Sequence, residues 1–177
     1  SFDDPVGSGF AKSLSHPGGN ITGINILSTE LGQRRLQMLT EIVPGASRIA
    51  RLFNPDNPVH VRESNRTEDS ARKLGREIVR VPVRNESELS AAFDLIVRER
   101  VGALFLSDDS VLNSLAPRIA ELALKRKLPW MSPWGEQAIA EHGLIGYSAD
   151  GVRMSRSAAA IAVKIFKDDG TSTFTAI

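Results

Sequence analysis

Short apolar runs rich in β-branched residues alternate along this chain with longer segments of helical period. Several successive runs lie about 25 to 30 residues apart, the reach of a strand–helix–strand crossover. The predicted strands are Ile21–Leu27, Arg48–Phe53, Glu77–Val83, Ala103–Leu106, Pro129–Met131 and Leu144–Tyr147. Ile49-Ala50-Arg51-Leu52-Phe53 and Ala103-Leu104-Phe105-Leu106 are largely apolar rather than alternating, which suits strands covered by helices on both faces. The pattern predicts an α/β fold, a Rossmann-like doubly wound parallel sheet.

The predicted helices carry apolar stripes. Leu89, Phe93, Ile96 and Val97 recur at three- and four-residue spacing, with Asn85 and Glu88 placed for a capping box. Met154, Ala158, Ile161 and Ile165 line one face of a long helix that ends near Lys164 and Lys167, and Leu36, Leu39 and Val43 do the same before Pro44. The more polar segment Val61–Leu74 belongs on an outer surface. Pro117 interrupts the helical run Val111–Lys125, either in the first turn of a helix that starts nearby or at a kink. Near the ends, Val6–Leu14 is helix-like, His16 to Asn20 is a turn, and residues from Asp168 onward read as a tail.

Composition narrows the function. With 22 Lys+Arg against 21 Asp+Glu in 177 residues the net charge is +1, so no general field draws nucleic acid or an anionic membrane. The chain has no cysteine, which excludes disulfides, thiolate metal sites and cysteine nucleophiles and leaves the redox compartment open. No run of about 18 apolar residues occurs, so no segment reads as a transmembrane helix.

Ligands of open parallel sheets bind beyond the carboxyl ends of the strands. Three predicted strands there run into polar loops: Asn54-Pro55-Asp56-Asn57-Pro58, Ser107-Asp108-Asp109-Ser110 and Ser132-Pro133-Trp134-Gly135. Amide, carboxylate, hydroxyl and indole groups together suit a small polar ligand. A ligand carboxylate can accept from helix N-terminal amides and asparagine side chains, and Asp108 can pair an ammonium group. Trp134 or Tyr147 can cover an apolar part. Simpler roles compete: Asp109 and Ser110 as helix N-caps, Asn54 and Asn57 as turn formers, and Trp130 as core.

Catalytic patterns are incomplete. Gly146-Tyr147-Ser148-Ala149-Asp150-Gly151 has one residue too many for a nucleophile elbow, and Gly7-Ser8-Gly9 does not extend to a dinucleotide fingerprint. His16, His60 and His142 lack metal-ligand spacing and read as surface or turn histidines. Asp108-Asp109 falls too late in the strand order for a phospho-acceptor pair. No cofactor or metal is implied.

Asp4-Pro5-Val6-Gly7-Ser8-Gly9-Phe10-Ala11-Lys12-Ser13-Leu14, followed by Pro17-Gly18-Gly19-Asn20-Ile21-Thr22-Gly23, is a specific pattern. It resembles the ABC-transporter substrate-binding proteins that include the tryptophan/tyrosine-type binders. The resemblance continues through Leu36-Gln37-Met38-Leu39, Val43-Pro44, Asn54-Pro55, Ala71 to Gly75, Ser107-Asp108, Leu128-Pro129, Gly143 to Tyr147 and Ala162 to Lys167, nearly the whole chain.

The resemblance implies a type I periplasmic-binding fold, two α/β lobes joined by crossover strands with the ligand between them. Residues 1–22 then correspond to the end of the first lobe and a crossover, 23–148 to the second lobe, and 149–177 to a return helix and tail. It further implies a leader and most of a first lobe ahead of the Asp-Pro-Val motif, a periplasmic or membrane-anchored extracytoplasmic location, and an ABC permease as partner. The ligand-facing residues it implies are Asn54, Asn57, Ser107, Asp108, Trp134 and Tyr147, and the ligand an amino acid or small organic acid. A sensory ligand-binding domain of a receptor or regulator is the alternative, and an α/β enzyme using Asp108 a more distant one. One lobe covers one side of a ligand, so residues 1–177 alone are expected to bind weakly or not at all, and the exposed inner surface favours self-association.

Overall fold

The structure, a computed structural model, describes residues 5–7, 9–24, 28–141 and 143–167. The chain divides into two compact units, Thr29–Ser148 and a unit made of Ser1–Ser28 with Ala149–Ile177. Helix α1 (Ser28–Ile42) leads into five strands, β1 (Arg48–Phe53), β2 (Glu77–Pro82), β3 (Ala103–Leu106), β4 (Trp130–Ser132) and β5 (Ile145–Gly146). Between them lie α2 (Pro58–Lys73), α3 (Leu89–Arg98) after a short 3-10 turn, α4 (Ser110–Lys125) and α5 (Gly135–Ala140). All strands are parallel, in the order β2-β1-β3-β4-β5.

Strand parity explains the two cores. Ala50, Leu52, Leu104 and Leu106 face α3 and α4, where they pack with Phe93, Ile96, Leu112 and Ile119. Ile49, Ala103 and Phe105 point to the opposite face, against Leu36 and Leu39 of α1 and Ala71 of α2. Both faces of β1 and β3 are therefore dry, and β3 is buried at all four positions. Leu52 pairs with both Val81 and Leu106, which brings the carboxyl ends of β2, β1 and β3 level.

Several local expectations change. β1 and β3 have the predicted bounds, while β5 shrinks to two residues. Residues 21–24 are not strand, and the remainder of the predicted run Ile21–Leu27 lies outside the described residues. The described residues of Val6–Leu14 form hydrogen-bonded turns rather than a helix, with Phe10 N and Ala11 N both donating to Pro5 O. Pro117 sits well inside α4, which starts seven residues earlier at Ser110. In the expected capping box, Asn85 Oδ1 accepts from Ser87 N, but Glu88 accepts from Arg84 N instead of reaching Asn85 N. In the other unit, α6 (Gly151–Lys167) is the predicted long helix, with Lys164 and Lys167 in its last turn.

Candidate functional site

The chain leaves β1 toward β2 on one side and β3 toward β4 on the other, so the order reverses between β1 and β3. That reversal opens a crevice at the carboxyl ends of the two strands, the place where doubly wound sheets hold ligands. With β4 and β5 next in line, the loops after β1, β3 and β4 and the exit from β5 form one row.

Asparagine chemistry shapes the first loop. Asn57 caps α2, its Oδ1 accepting from Val59 N at 3.0 Å ahead of Pro58, while Asn54 Oδ1 accepts from Asp56 N at 3.0 Å. Both side-chain nitrogens then cross the crevice. Asn57 Nδ2 donates to Asp109 Oδ2 at 3.0 Å and Asn54 Nδ2 to Asp109 Oδ1 at 3.4 Å. Asp109 also caps α4 by accepting from Val111 N at 2.9 Å. Burial opposes ionisation of this carboxyl, but the bonds from Asn57 and Val111 N, aided by nearby His60, outweigh it and hold the pKa below the ordinary aspartate value.

The second and third loops are tied by a different carboxylate. Exposed Asp108 accepts from the indole Nε1 of Trp134 at 3.1 Å, and its peptide oxygen meets His60 Nε2 at 3.1 Å. Trp134 N donates to Ser132 Oγ, which sets the loop on the end of β4. Beyond it, Tyr147 N donates to Ser132 O, and Tyr147 O accepts from Arg35 Nε at 2.6 Å. Gly146 lets β5 approach this closely: a Cβ there would lie 2.7 Å from Gly135 Cα and 2.9 Å from Trp134 O.

Beneath the row lies Arg51, 1% exposed, on the α1/α2 side of β1. Its Nε donates to Ser107 Oγ (3.0 Å), Nη1 to Ser64 Oγ (2.7 Å), and Nη1 and Nη2 to His60 O (both 3.2 Å). The Phe53 ring centre is 5.4 Å from the guanidinium. These hydrogen bonds all go to neutral oxygens, and burial lowers its pKa, opposed by Glu63.

The six predicted ligand-facing residues thus sit along one edge, in distinct situations. Asp108 is exposed, Trp134 half-buried and Tyr147 exposed, Asn54 and Asn57 are half-buried against Asp109, and Ser107 is buried over Arg51. His60 is not a surface histidine: at 3% exposure it is packed under the loops. Asp109 is the expected cap and also the bridge between two loops. Arg51, His60 and this bridging role escaped sequence reasoning. Their one signal was a cation at a core-parity position of an otherwise apolar strand. Among the described residues no three His, Asp or Glu side chains are grouped to hold a metal. The edge offers recognition chemistry: the solvent-facing carboxylate of Asp108, an oriented indole and a fixed set of amides.

A profile described as "ABC transporter substrate binding protein" matches residues 1–172. A tyrosine-binding protein from Clostridioides difficile (strain R20291) is 24% identical over 165 residues, 93% of this chain and 46% of that protein. The ABC domain in complex with L-Trp from Streptococcus pneumoniae superposes with a TM-score of 0.80 at 19% identity, over 98% of this chain and 57% of that one. A conserved domain protein from Vibrio cholerae gives a TM-score of 0.81 at 21% identity, over 99% and 58%. The chain spans about half the length of the curated relative and under two thirds of these solved chains. The structural likenesses establish the fold. With its profile covering nearly the whole sequence, the chain belongs to the ABC transporter substrate-binding protein family, a family of binding proteins and not of enzymes.

Proposed function

We propose that the carboxyl edge of this sheet is half of a binding site for a small polar solute, an amino acid in preference to an organic acid. A second lobe closes the cleft, and the solute passes to an ABC permease outside the cytoplasm. The observation that carries this reading is the Asp108–Trp134 pair: an exposed carboxylate whose Oδ1 is taken by the indole N–H at 3.1 Å. The pair leaves the carboxylate's charge for an ammonium group and the indole ring for the ligand's apolar part. Asn54, Asn57, Ser107 and Tyr147 complete the ligand-facing set, with the two asparagines held in place by Asp109. One relative is a tyrosine-binding protein and one neighbour was solved with L-Trp, which favours an amino acid.

A charge-assisted hydrogen bond is worth about 1.5–3 kcal/mol, or roughly 10- to 100-fold in affinity. Calorimetry of the full-length protein with L-tyrosine, L-tryptophan, L-leucine and succinate is expected to show binding of an amino acid. Asp108→Ala is expected to weaken it by about that factor. Binding of succinate alone, or an Asp108→Ala protein that binds as tightly as the parent, contradicts the reading.

A further inference from the structure

From the start of α2, His60 reaches the loop after β3 from below, meeting both Asp108 and Asp109, and is itself only 3% exposed. Its Nε2 lies 3.1 Å from the Asp108 carbonyl oxygen, an acceptor, so the hydrogen on Nε2 belongs to that bond. While the ring is neutral, Nδ1 is then a bare lone pair. It is buried, has no hydrogen-bond partner, and stands 3.9 Å from Asp109 Oδ2. In that neutral state two acceptors face each other in a space closed to water, a costly arrangement for a side chain 3% exposed.

We propose that His60 is a positioning residue of the binding edge: by holding the Asp108 carbonyl on one nitrogen and facing the Asp109 carboxylate with the other, it sets the geometry of the Asp108–Trp134 pair according to its own protonation. A proton on Nδ1 converts the facing lone pair into a donor aimed at Asp109. Attraction across such a short gap is several times stronger in a shielded site than at the surface. Asp109 is anchored by Asn57 Nδ2 and Val111 N, so the imidazole moves toward it. The Asp108 carbonyl follows the ring, and the Asp108 carboxylate carries the Trp134 indole with it.

Three charged groups on the packed elements, among the described residues, are already engaged. Arg51 on β1 binds the carbonyl of His60 itself, Glu63 on α2 acts on Arg51, and Asp56 on the first loop pairs with Arg84. Among the described residues, Asp109 is the carboxylate that faces His60 and answers a charge on it. The inference rests on the ligand-facing reading of Asp108 and Trp134, but its test uses no ligand, so the two fail separately.

The chain has two tryptophans, Trp130 and Trp134, so the indole N–H resonances are separable, with Trp134→Phe giving the assignment. Followed by NMR in the unliganded protein from about pH 8 to about pH 5, the window in which imidazole charge changes, the Trp134 resonance is expected to move together with the ring protons of His60. That of Trp130, in the core, is expected to stay still. In His60→Gln, whose amide keeps a donor near the Nε2 position but does not titrate, the Trp134 resonance is expected to remain hydrogen-bonded and lose its pH dependence. In His60→Leu it is expected to shift toward an unbonded indole at every pH. A Trp134 resonance that is independent of pH in the parent, or that follows the same curve in His60→Gln as in the parent, overturns the proposal even if His60→Leu does not fold.

Discussion

Arg51→Ala is expected to lower the free energy of unfolding of the Thr29–Ser148 unit by about 3–5 kcal/mol. The side chain fills space between β1, α2 and the end of β3, so its removal opens a cavity as well as three sets of hydrogen bonds. The two contributions separate in Arg51→Met, which keeps most of the stem. His60 O still accepts from Ser64 Oγ at 2.9 Å without the guanidinium, so Ser107 Oγ is the main group left short of a partner. The methionine also removes the cost of burying a cation whose hydrogen bonds all go to neutral oxygens. Arg51→Met is therefore expected to cost under about 1.5 kcal/mol in urea unfolding. Equal losses in the two variants would mean that the hydrogen bonds, and not the packed stem, hold this corner.

Asp109→Ala is expected to cost about 2–3 kcal/mol. It removes the cap on Val111 N, frees two half-buried amides, and unties the first loop from the second. Asp109→Asn keeps an oxygen for Val111 N and is expected to lose roughly half as much. The pH dependence distinguishes charge from shape. Because the carboxyl is held below its ordinary value, the unfolded chain binds more protons than the folded one in the acid range. Its contribution is complete above the ordinary aspartate range, about pH 4, and is lost as pH falls through the depressed value. The stability gap between the parent and Asp109→Asn should accordingly narrow as acid is added. A gap constant from about pH 7 to about pH 3 would show that these bonds do not favour the ionised form.

The sheet was legible because its strands are buried on both faces. An apolar run such as Ala103–Leu106 leaves few other places for itself, and the helical stripes on Leu89–Ile96 fill the space beside it. Short edge elements were less legible. β5 is two residues long and is positioned by the contact of Gly146 with α5 rather than by its own propensity. At the candidate site, loop chemistry put Asn54, Asn57, Asp108 and Trp134 on one edge, where the structure also has them, since strand ends in a parallel sheet must share one side. How these residues pair was not readable. That Asn57 crosses to Asp109 and Trp134 to Asp108 depends on β1 and β3 being neighbours with level ends, a fact of strand order that local spacing does not encode. Arg51 and His60 stayed hidden for the same reason. Each bonds to a residue 48 to 56 positions away.

Chemical-shift mapping of the full-length protein on addition of L-tryptophan or L-tyrosine tests most directly whether the turns leaving β1, β3 and β4 grip the solute. The expected changes cluster at Asn54 to Asn57, Ser107 to Ser110, Trp134 and Tyr147, and include the Trp134 indole N–H, whose bond to Asp108 any ligand there must disturb. Changes confined to the amino ends of the strands or the outer faces of α3 and α4, with those residues silent, would contradict the account.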